Sequence, residues 1–381
     1  MERLQIQLDE TAVHANLATV RRLASPTTTI MGVVKANAYG HGLETASRLL
    51  IRHGVQELAV ATIDEGCRLR EAGIHVPVTL LAPVTAASAR EVAARRLRPS
   101  LSCLAAARDL HRAARAGRRP LPVHIEIDTG LGRYGWPAMR TALAPLEQLA
   151  ALDGLVVASV YTHLGGACRA ALADQLRLFD HAYAQVAAVL GHRPRRHALA
   201  SSAMSAGLCH PTATQLVRPG ALLYGLAPCY GDIPSPRGLR PVLSATSHIA
   251  HLTELPAGAS IGYGAARRLP EPARIAVVPA GFADGIPRQL ADRGRVLIRG
   301  RYAPIVATVG MTHLTIDVTD IPHASTGDTV TLIGAQGAAA IDVSEWARLT
   351  GTITSDVLTR LAPALPRAVT LMPNAQGALS A

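Results

Sequence analysis

A single lysine, Lys35, stands among 381 residues that include 37 arginines. A chain that uses arginine wherever positive charge suffices keeps lysine where it needs a primary amine able to lose its proton. The reaction that demands such an amine is Schiff-base formation with a carbonyl, as on the aldehyde cofactor pyridoxal 5'-phosphate. The bland alternative, a surface lysine retained by chance, is opposed by its surroundings: Met31-Gly-Val-Val-Lys35-Ala-Asn-Ala-Tyr39-Gly40-His41-Gly42. Ile30 to Val34 is an apolar run that predicts a buried strand. A glycine-rich turn and a helical stretch from Leu43 to Arg52 follow. The C-terminal end of a strand, just ahead of a helix, is where α/β barrels place their chemistry.

The elements needed to position Lys35 recur along the chain. Arg3 to Asp9 alternates like a half-buried strand, and Thr11 opens a helix toward Leu23. Apolar strands then alternate with helical stretches: Glu57 to Ala61, Val76 to Leu81, a weak Leu101 to Ser102, Val123 to Ile127, Leu155 to Val160, His197 to Ala200 and Gln215 to Arg218. The helices between them run over Asp64 to Ala72, Ala86 to Arg95, Ala105 to Ala116, Met139 to Leu152 and Ala171 to Leu190. Short strands alternating with helices imply a parallel sheet, and roughly eight such units imply a closed (β/α)8 TIM barrel. An open doubly wound sheet is the alternative, but the G-x-G-x-x-G of its dinucleotide-binding version is missing. A Pro/Gly linker at Gly231 to Gly238 changes the pattern, and β-like runs dominate afterwards. The expected division is a barrel over residues 1–237 and a C-terminal β-rich domain over 238–381.

Composition narrows the function classes. Hydrophobic residues make up 49%, ample for a core. The net charge of +11 invites nucleic acid as a partner, but the arginines are dispersed and aromatics reach only 3%, too few for a base-stacking surface. The five cysteines form no C-x-x-C pair, so neither a disulfide framework nor a metal site is expected. No apolar signal core or membrane-length run is present, and a soluble cytoplasmic protein is expected.

VVKANAYGHG resembles the cofactor-lysine motif of the bacterial alanine racemases, and further motifs extend the resemblance over nearly the whole chain: Asp128-Thr-Gly-Leu-Gly-Arg133, Tyr161-Thr-His163-Leu, Val217-Arg218-Pro-Gly220-Ala221 and Ile261-Gly-Tyr263-Gly. The resemblance implies a pyridoxal 5'-phosphate-dependent racemase with a barrel and a β domain. It makes Lys35 the cofactor lysine and Lys35 and Tyr263 the two catalytic bases, one on each face of the substrate α-carbon. In that family the tyrosine comes from the partner subunit of a head-to-tail homodimer. The resemblance makes Tyr39, Ser202, Gly220 and Ala221 the phosphate cradle. Arg218 becomes the partner of the pyridine nitrogen, and His163 the contact of Tyr263. Arg133 becomes the clamp on the substrate carboxylate, and Met311 its backbone helper.

Four positions depart from the family pattern. Glu126 occupies the site of a carbamylated lysine, and its carboxylate supplies the same charge for orienting Arg133. Thr308, Cys168 and Ser355 replace an arginine, an aspartate and a tyrosine near the substrate side chain, Ser355 being carried over as a cofactor contact. These losses predict a wider pocket, with specificity moved from alanine toward serine or a larger amino acid. Two rival readings are a decarboxylase on the same barrel, opposed by the lack of any cysteine after Cys229, and a non-catalytic cofactor-binding protein, opposed by the β domain and Tyr263.

Overall fold

The computed structural model describes residues 3–138, 143–209, 215–228, 231–362 and 364–372. Cys229 and Met139, where a helix was expected to begin, lie outside them. The chain forms two compact units. One comprises Val13–Ala38 and Leu43–Leu239; the other comprises the N-terminal residues to Ala12, the short segment Tyr39–Gly42 and the chain from Arg240 onward.

The first strand, β1 (Gln5–Asp9), belongs to the second unit. The first unit is built on β2 (Thr29–Val33), β3 (Glu57–Val60), β4 (Val78–Pro83), β5 (Arg98–Leu101) and β6 (Leu121–Asp128). It continues through the two-residue β7 (Trp136–Pro137), which pairs with β6, and then β8 (Leu155–Tyr161), β9 (Arg195–His197) and β10 (Leu216–Val217). Eight of these form a parallel sheet in the order β10-β2-β3-β4-β5-β6-β8-β9. A parallel bridge between Ala200 and Arg218, with Arg218 N–H donating to Leu199 O at 2.8 Å, joins the two edges. The result is a near-closed barrel. Its strand β3 is buried on both faces, as the apolar run Leu58–Val60 requires. Helices follow the strands, among them Leu43–Arg52, Ile63–Glu71, Leu104–Ala116 and Arg169–Leu190. The stretch read as one helix from Ala86 to Arg95 is a 3-10 turn, Ala86–Ser88, followed by the short helix Ala89–Ala94.

In the second unit, β11 (Leu243–His248), β12 (His251–Leu255), β13 (Ser260–Ile261), β14 (Arg267–Arg268), β15 (Ala273–Val278) and β16 (Arg295–Ile298) come first. They are followed by β17 (Arg301–Pro304), β18 (Leu314–Asp317), β19 (Thr329–Gln336), β20 (Ala339–Ile341) and β21 (Arg367–Thr370). The main sheet runs β17-β16-β19-β11-β1-β21, with β20 on β19; β12-β15-β18 and the hairpin β13-β14 are separate. β1 pairs antiparallel with β11, Gln5 opposite Thr246, and parallel with β21, Ile6 opposite Arg367. The expected boundary at residue 237 therefore differs at the N-terminus, where the first strand completes the sheet of the second unit. The reason is physical: alternation marks a strand but not its partner, and this partner lies more than two hundred residues away. The stretch read as a strand from Ile305 to Val309 makes only an isolated bridge, Ile305 to Ile316.

The segment Tyr39–Gly42 is seated in the second unit by Arg367. This buried side chain donates from Nε and Nη2 to Gly40 O, from Nη2 to Leu361 O, and from Nη1 to Ala362 O and Leu365 O. All five guanidinium N–H groups are thereby satisfied by main-chain carbonyls. Gly40 has φ +82°, and a Cβ there would lie 2.0 Å from Leu358 O. We predict that Gly40→Ala lowers stability by at least about 1 kcal/mol, from the left-handed conformation alone. A urea midpoint equal to that of the native chain would contradict this.

Candidate active site

Lys35 stands one residue, Val34, beyond the end of β2 and opens an unusual turn. Ala36, Asn37, Ala38 and Tyr39 all have φ between 53° and 55°, a full turn of left-handed backbone. Each non-glycine residue held there costs on the order of 1 kcal/mol, so the turn persists only where its surroundings impose it. Ala38 N–H donates to Val34 O at 2.8 Å, and Leu43 N–H to Asn37 Oδ1 at 2.8 Å. Asn37 N–H donates to Glu65 Oε1 at 3.2 Å. Glu65 is the capping-box residue of helix Ile63–Glu71, its Oε2 accepting from Thr62 N while Glu65 N donates to Thr62 Oγ1. The sequence reading had a glycine-rich turn here, with no hint of the left-handed run.

Lys35 is held below its ordinary lysine pKa by burial and by the nearby Arg133 charge, against an opposing pull from Glu65. It therefore gives up its proton more readily than a lysine in water. Arg133 is carried by a loop that Asp128 organises. The Asp128 Oδ1 accepts from Gly130 and Leu131 N–H at 2.9 Å, and its Oδ2 from Gly132 N–H at 3.1 Å. The Arg133 guanidinium lies over the Tyr134 ring, exposed to solvent.

Arg218 follows β10 and is 2% exposed. Its Nη1 donates to His197 Nδ1 at 2.6 Å and to His197 O at 3.0 Å. Its Nη2 donates to Thr162 O at 2.7 Å and Ala198 O at 3.4 Å. The guanidinium also lies over the Tyr161 ring, 5.0 Å from its centre. Of the five N–H donors, Nε–H alone makes no hydrogen bond among the described residues. Burial brings the Arg218 pKa down to about 10, so it stays a cation at neutral pH. His163 lies in the same field: burial, then the charges of Arg218, Arg133 and Lys35, push it down to about 3. It is a neutral imidazole under all ordinary conditions.

Ser202 is half-buried at the start of helix Ser201–Ser205. Its neighbour Ser201, which the sequence reading passed over, has a structural task. The Ser201 Oγ accepts from Gly220 N–H at 3.1 Å and Leu222 N–H at 3.4 Å. It thereby ties the loop after β9 to the loop after β10. Glu126, on β6, is 2% exposed, and its Oε2 has no hydrogen-bond partner among the described residues. Burial raises its pKa while Arg133 and Arg218 pull against that rise. Tyr39, Tyr263, Met311 and Ser355 lie in the second unit. Tyr263 sits in the turn between β13 and β14, preceded by Gly262 at φ +81°, and is 77% exposed. A Cβ on Gly262 would stand 3.2 Å from Thr308 Oγ1. Met311 is exposed, and its carbonyl accepts from Ala283 N–H at 2.9 Å. Ser355 is half-buried in helix Thr354–Arg360. Among the described residues no cluster of ligand-type side chains could hold a metal ion. No described helix is long and apolar enough to cross a membrane.

The first unit thus gathers Lys35, Arg133, His163, Ser202, Arg218, Gly220 and Ala221 on loops that follow the C-terminal ends of barrel strands, the side where such folds do chemistry. These groups suit a phosphorylated pyridine aldehyde. Lys35 offers an amine, Arg218 an uncommitted Nε–H at a site where charge is already buried, and the paired loops offer main-chain N–H groups.

Comparison with known proteins bears on the whole chain. Residues 8–228 match the family model for the alanine racemase N-terminal domain, and residues 242–369 that for the alanine racemase C-terminal domain. An alanine racemase of Syntrophobacter fumaroxidans is 38% identical over 92% of this chain and 93% of its own. One from Nostoc is 35% identical over 96% and 95%. Among solved structures, the alanine racemase of a D-cycloserine-producing Streptomyces lavendulae superposes with a TM-score of 0.87 at 30% identity, covering 98% of each chain. That of Bartonella henselae, solved with covalently bound pyridoxal phosphate, gives 0.83 at 26% identity over 97% of this chain and 100% of its own.

Burial also makes a pH prediction. His124 and His163 are lowered to about 3, and His197 well below its ordinary value, each chiefly by burial. In the unfolded chain each would titrate near 6.5. Their stabilising contribution is complete above that pH and is lost as pH falls toward the folded values, because only the unfolded state takes up the protons. Three such groups set a slope approaching about 4 kcal/mol per pH unit below pH 6. Urea midpoints unchanged between pH 7 and pH 5 would refute it.

Proposed function

The chain belongs to the alanine racemase family, a pyridoxal 5'-phosphate-dependent amino-acid racemase by that membership, and from this premise we propose that Lys35 and Tyr263 are its two proton-transfer groups and alanine its substrate. The observation that carries the reading is the Lys35 environment: the only lysine of the chain, half-buried at the end of a barrel strand and held below its ordinary pKa.

When bound, the cofactor supplies an aldehyde for the Lys35 amine and a ring that draws electrons from the substrate α-carbon. The rest falls to side chains. Lys35 holds the proton for one face of the α-carbon, and the phenol of Tyr263 holds it for the other. Tyr263 is strongly exposed and makes no hydrogen bond among the described residues. This supports its delivery into the site of a second copy, a head-to-tail homodimer in which each copy completes the other. Arg133 holds the substrate carboxylate, with the Met311 N–H of that second copy assisting and Glu126 as counter-charge to Arg133. Arg218 would offer its Nε–H to the ring nitrogen and, remaining a cation, would leave that nitrogen unprotonated, an arrangement that suits the return of a proton over deeper rearrangement. Tyr39, Ser202, Gly220 and Ala221 hold the phosphate, with Ser355 a further cofactor contact, and neutral His163 faces the incoming Tyr263.

The named relatives favour alanine over the serine or larger substrates that Thr308, Cys168 and Ser355 suggested. A chiral assay with single L-amino acids decides this: D-alanine should form fastest, and D-serine in excess of D-alanine would return the specificity to those three positions. Lys35→Ala should abolish turnover, and Tyr263→Phe should cut it by roughly a hundredfold or more. If Tyr263 acts across the dimer, mixing these two dead variants restores about one active site in four, since half the exchanged dimers carry one intact site. No recovery after confirmed subunit exchange would place Tyr263 in the site of its own chain.

A further inference from the structure

Behind Arg218 the barrel interior holds a line of buried polar side chains. His197 Nε2 lies 2.8 Å from Ser159 Oγ, and Ser159 Oγ is hydrogen-bonded to His124 Nδ1. His124 Nε2 lies 3.4 Å from Thr79 Oγ1. Thr79, His124, Ser159, His197 and Arg218 are each no more than 2% exposed. A direct approach of His197 Nε2 to His124 Nδ1, at 3.3 Å, is longer than either link through the serine.

The first member of this line places the His197 proton. Arginine only donates, so His197 Nδ1 accepts, and the His197 proton sits on Nε2. That N–H donates to Ser159, whose hydroxyl proton is then free to be given to His124 Nδ1. The His124 proton is left on Nε2, facing Thr79. The direction Arg218 to His197 to Ser159 to His124 to Thr79 satisfies each link, with the Ser159 hydroxyl accepting on one side and donating on the other. Both imidazoles are neutral in this arrangement, as burial and the surrounding arginines favour. Hydrogen bonds that run in one direction polarise one another, which makes His197 Nδ1 a stronger acceptor. His197 also stacks flat on Tyr161, ring centres 4.8 Å apart, and Tyr161 is anchored through Ser100 to Leu80 O.

We propose that Ser159 and His124, neither of which reaches the cofactor loops, are positioning residues: through His197 they hold the Arg218 guanidinium so that its Nε–H keeps the ring nitrogen of the bound cofactor unprotonated. This deepens the proposed role of Arg218 and rests on it. The line leaves the guanidinium one orientation, with both Nη groups committed and Nε–H turned to the only direction left. Without the hydroxyl of Ser159, the His197 Nε2–H loses its nearest acceptor and the ring its fixed tilt. The guanidinium then shares its donors among several orientations, and the ring nitrogen takes a proton from water for part of the time.

The test uses holoenzyme carrying pyridoxal 5'-phosphate labelled with 15N in the ring. In the native enzyme at pH 7 the signal should lie at the unprotonated position. Ser159→Ala should move it toward the protonated position, and Ser159→Thr, which restores a hydroxyl, should return it. Cofactor affinity and thermal midpoint, recorded alongside, separate this from a merely structural role, which would weaken both and leave the nitrogen signal in place. Should Ser159→Ala fail to fold, Thr79→Val removes the far end of the line at nearly constant volume, and a smaller move in the same direction is expected. A native-like signal in the folded variant, Ser159→Ala or Thr79→Val, overturns the proposal. Arg218→Met is the control on the reading beneath it. If that variant leaves the signal unprotonated, the role of Arg218 fails; if it protonates the nitrogen while the other variants do not, only the line behind Arg218 fails.

Discussion

Lys35, Arg133 and Arg218 share one small field inside and at the mouth of the barrel, and each lowers or opposes the charge of another group there. Burying positive charge is costly unless donors find acceptors. Arg218 meets that condition through His197 and the carbonyls of His197, Thr162 and Ala198, and so stays a cation in the interior. Its presence then biases everything nearby. His163 and His197, neutral chiefly through burial, are held so further by its charge, and Lys35, half removed from water and repelled by Arg133, is eased toward the amine. The chemistry thus follows from one fixed cation and one that can yield its proton, a division of labour for which arginine and lysine are not interchangeable.

Strain is concentrated where precision is needed. The left-handed turn from Ala36 to Tyr39 would unwind if unsupported, and its support comes from residues with other duties. Glu65 caps its own helix with one oxygen and holds Asn37 with the other. Asn37 in turn caps Leu43, where the next helix begins. The Tyr263 turn also uses left-handed positions, at Gly262, Gly264 and Ala265, but lies open to solvent. A half-buried lysine on a braced turn and a presented tyrosine are what a site completed by a second copy would need.

Much of this was legible in the chain before its structure. Lys35 stood out because arginine had displaced lysine everywhere else, and the alternation of strands and helices implied the barrel. Strand partnership was not legible: β1 has the pattern of any half-buried strand, and only β11 and β21 show where it belongs. Nor was the line from His197 to Thr79. His124, Ser159 and Thr79 sit on three different strands, and a buried polar residue in an apolar strand declares neither its partner nor its direction until the barrel closes. Ser201 and Ser202 were indistinguishable by type. About 100° of helical rotation separates their side chains, and the structure shows Ser201 holding Gly220 and Leu222.

The central claim, that burial and neighbouring positive charge hold Lys35 ready as an amine, can be measured without ambiguity because no other lysine contributes a signal. Protein labelled with 15N and 13C only in lysine gives one side-chain resonance, which can be followed by NMR as pH is raised in the cofactor-free form. The account predicts a midpoint clearly below the value near 10.4 of an unperturbed lysine, moving upward when Arg133 is replaced by Gln. A midpoint at or above the unperturbed value, or one indifferent to Arg133, would contradict it.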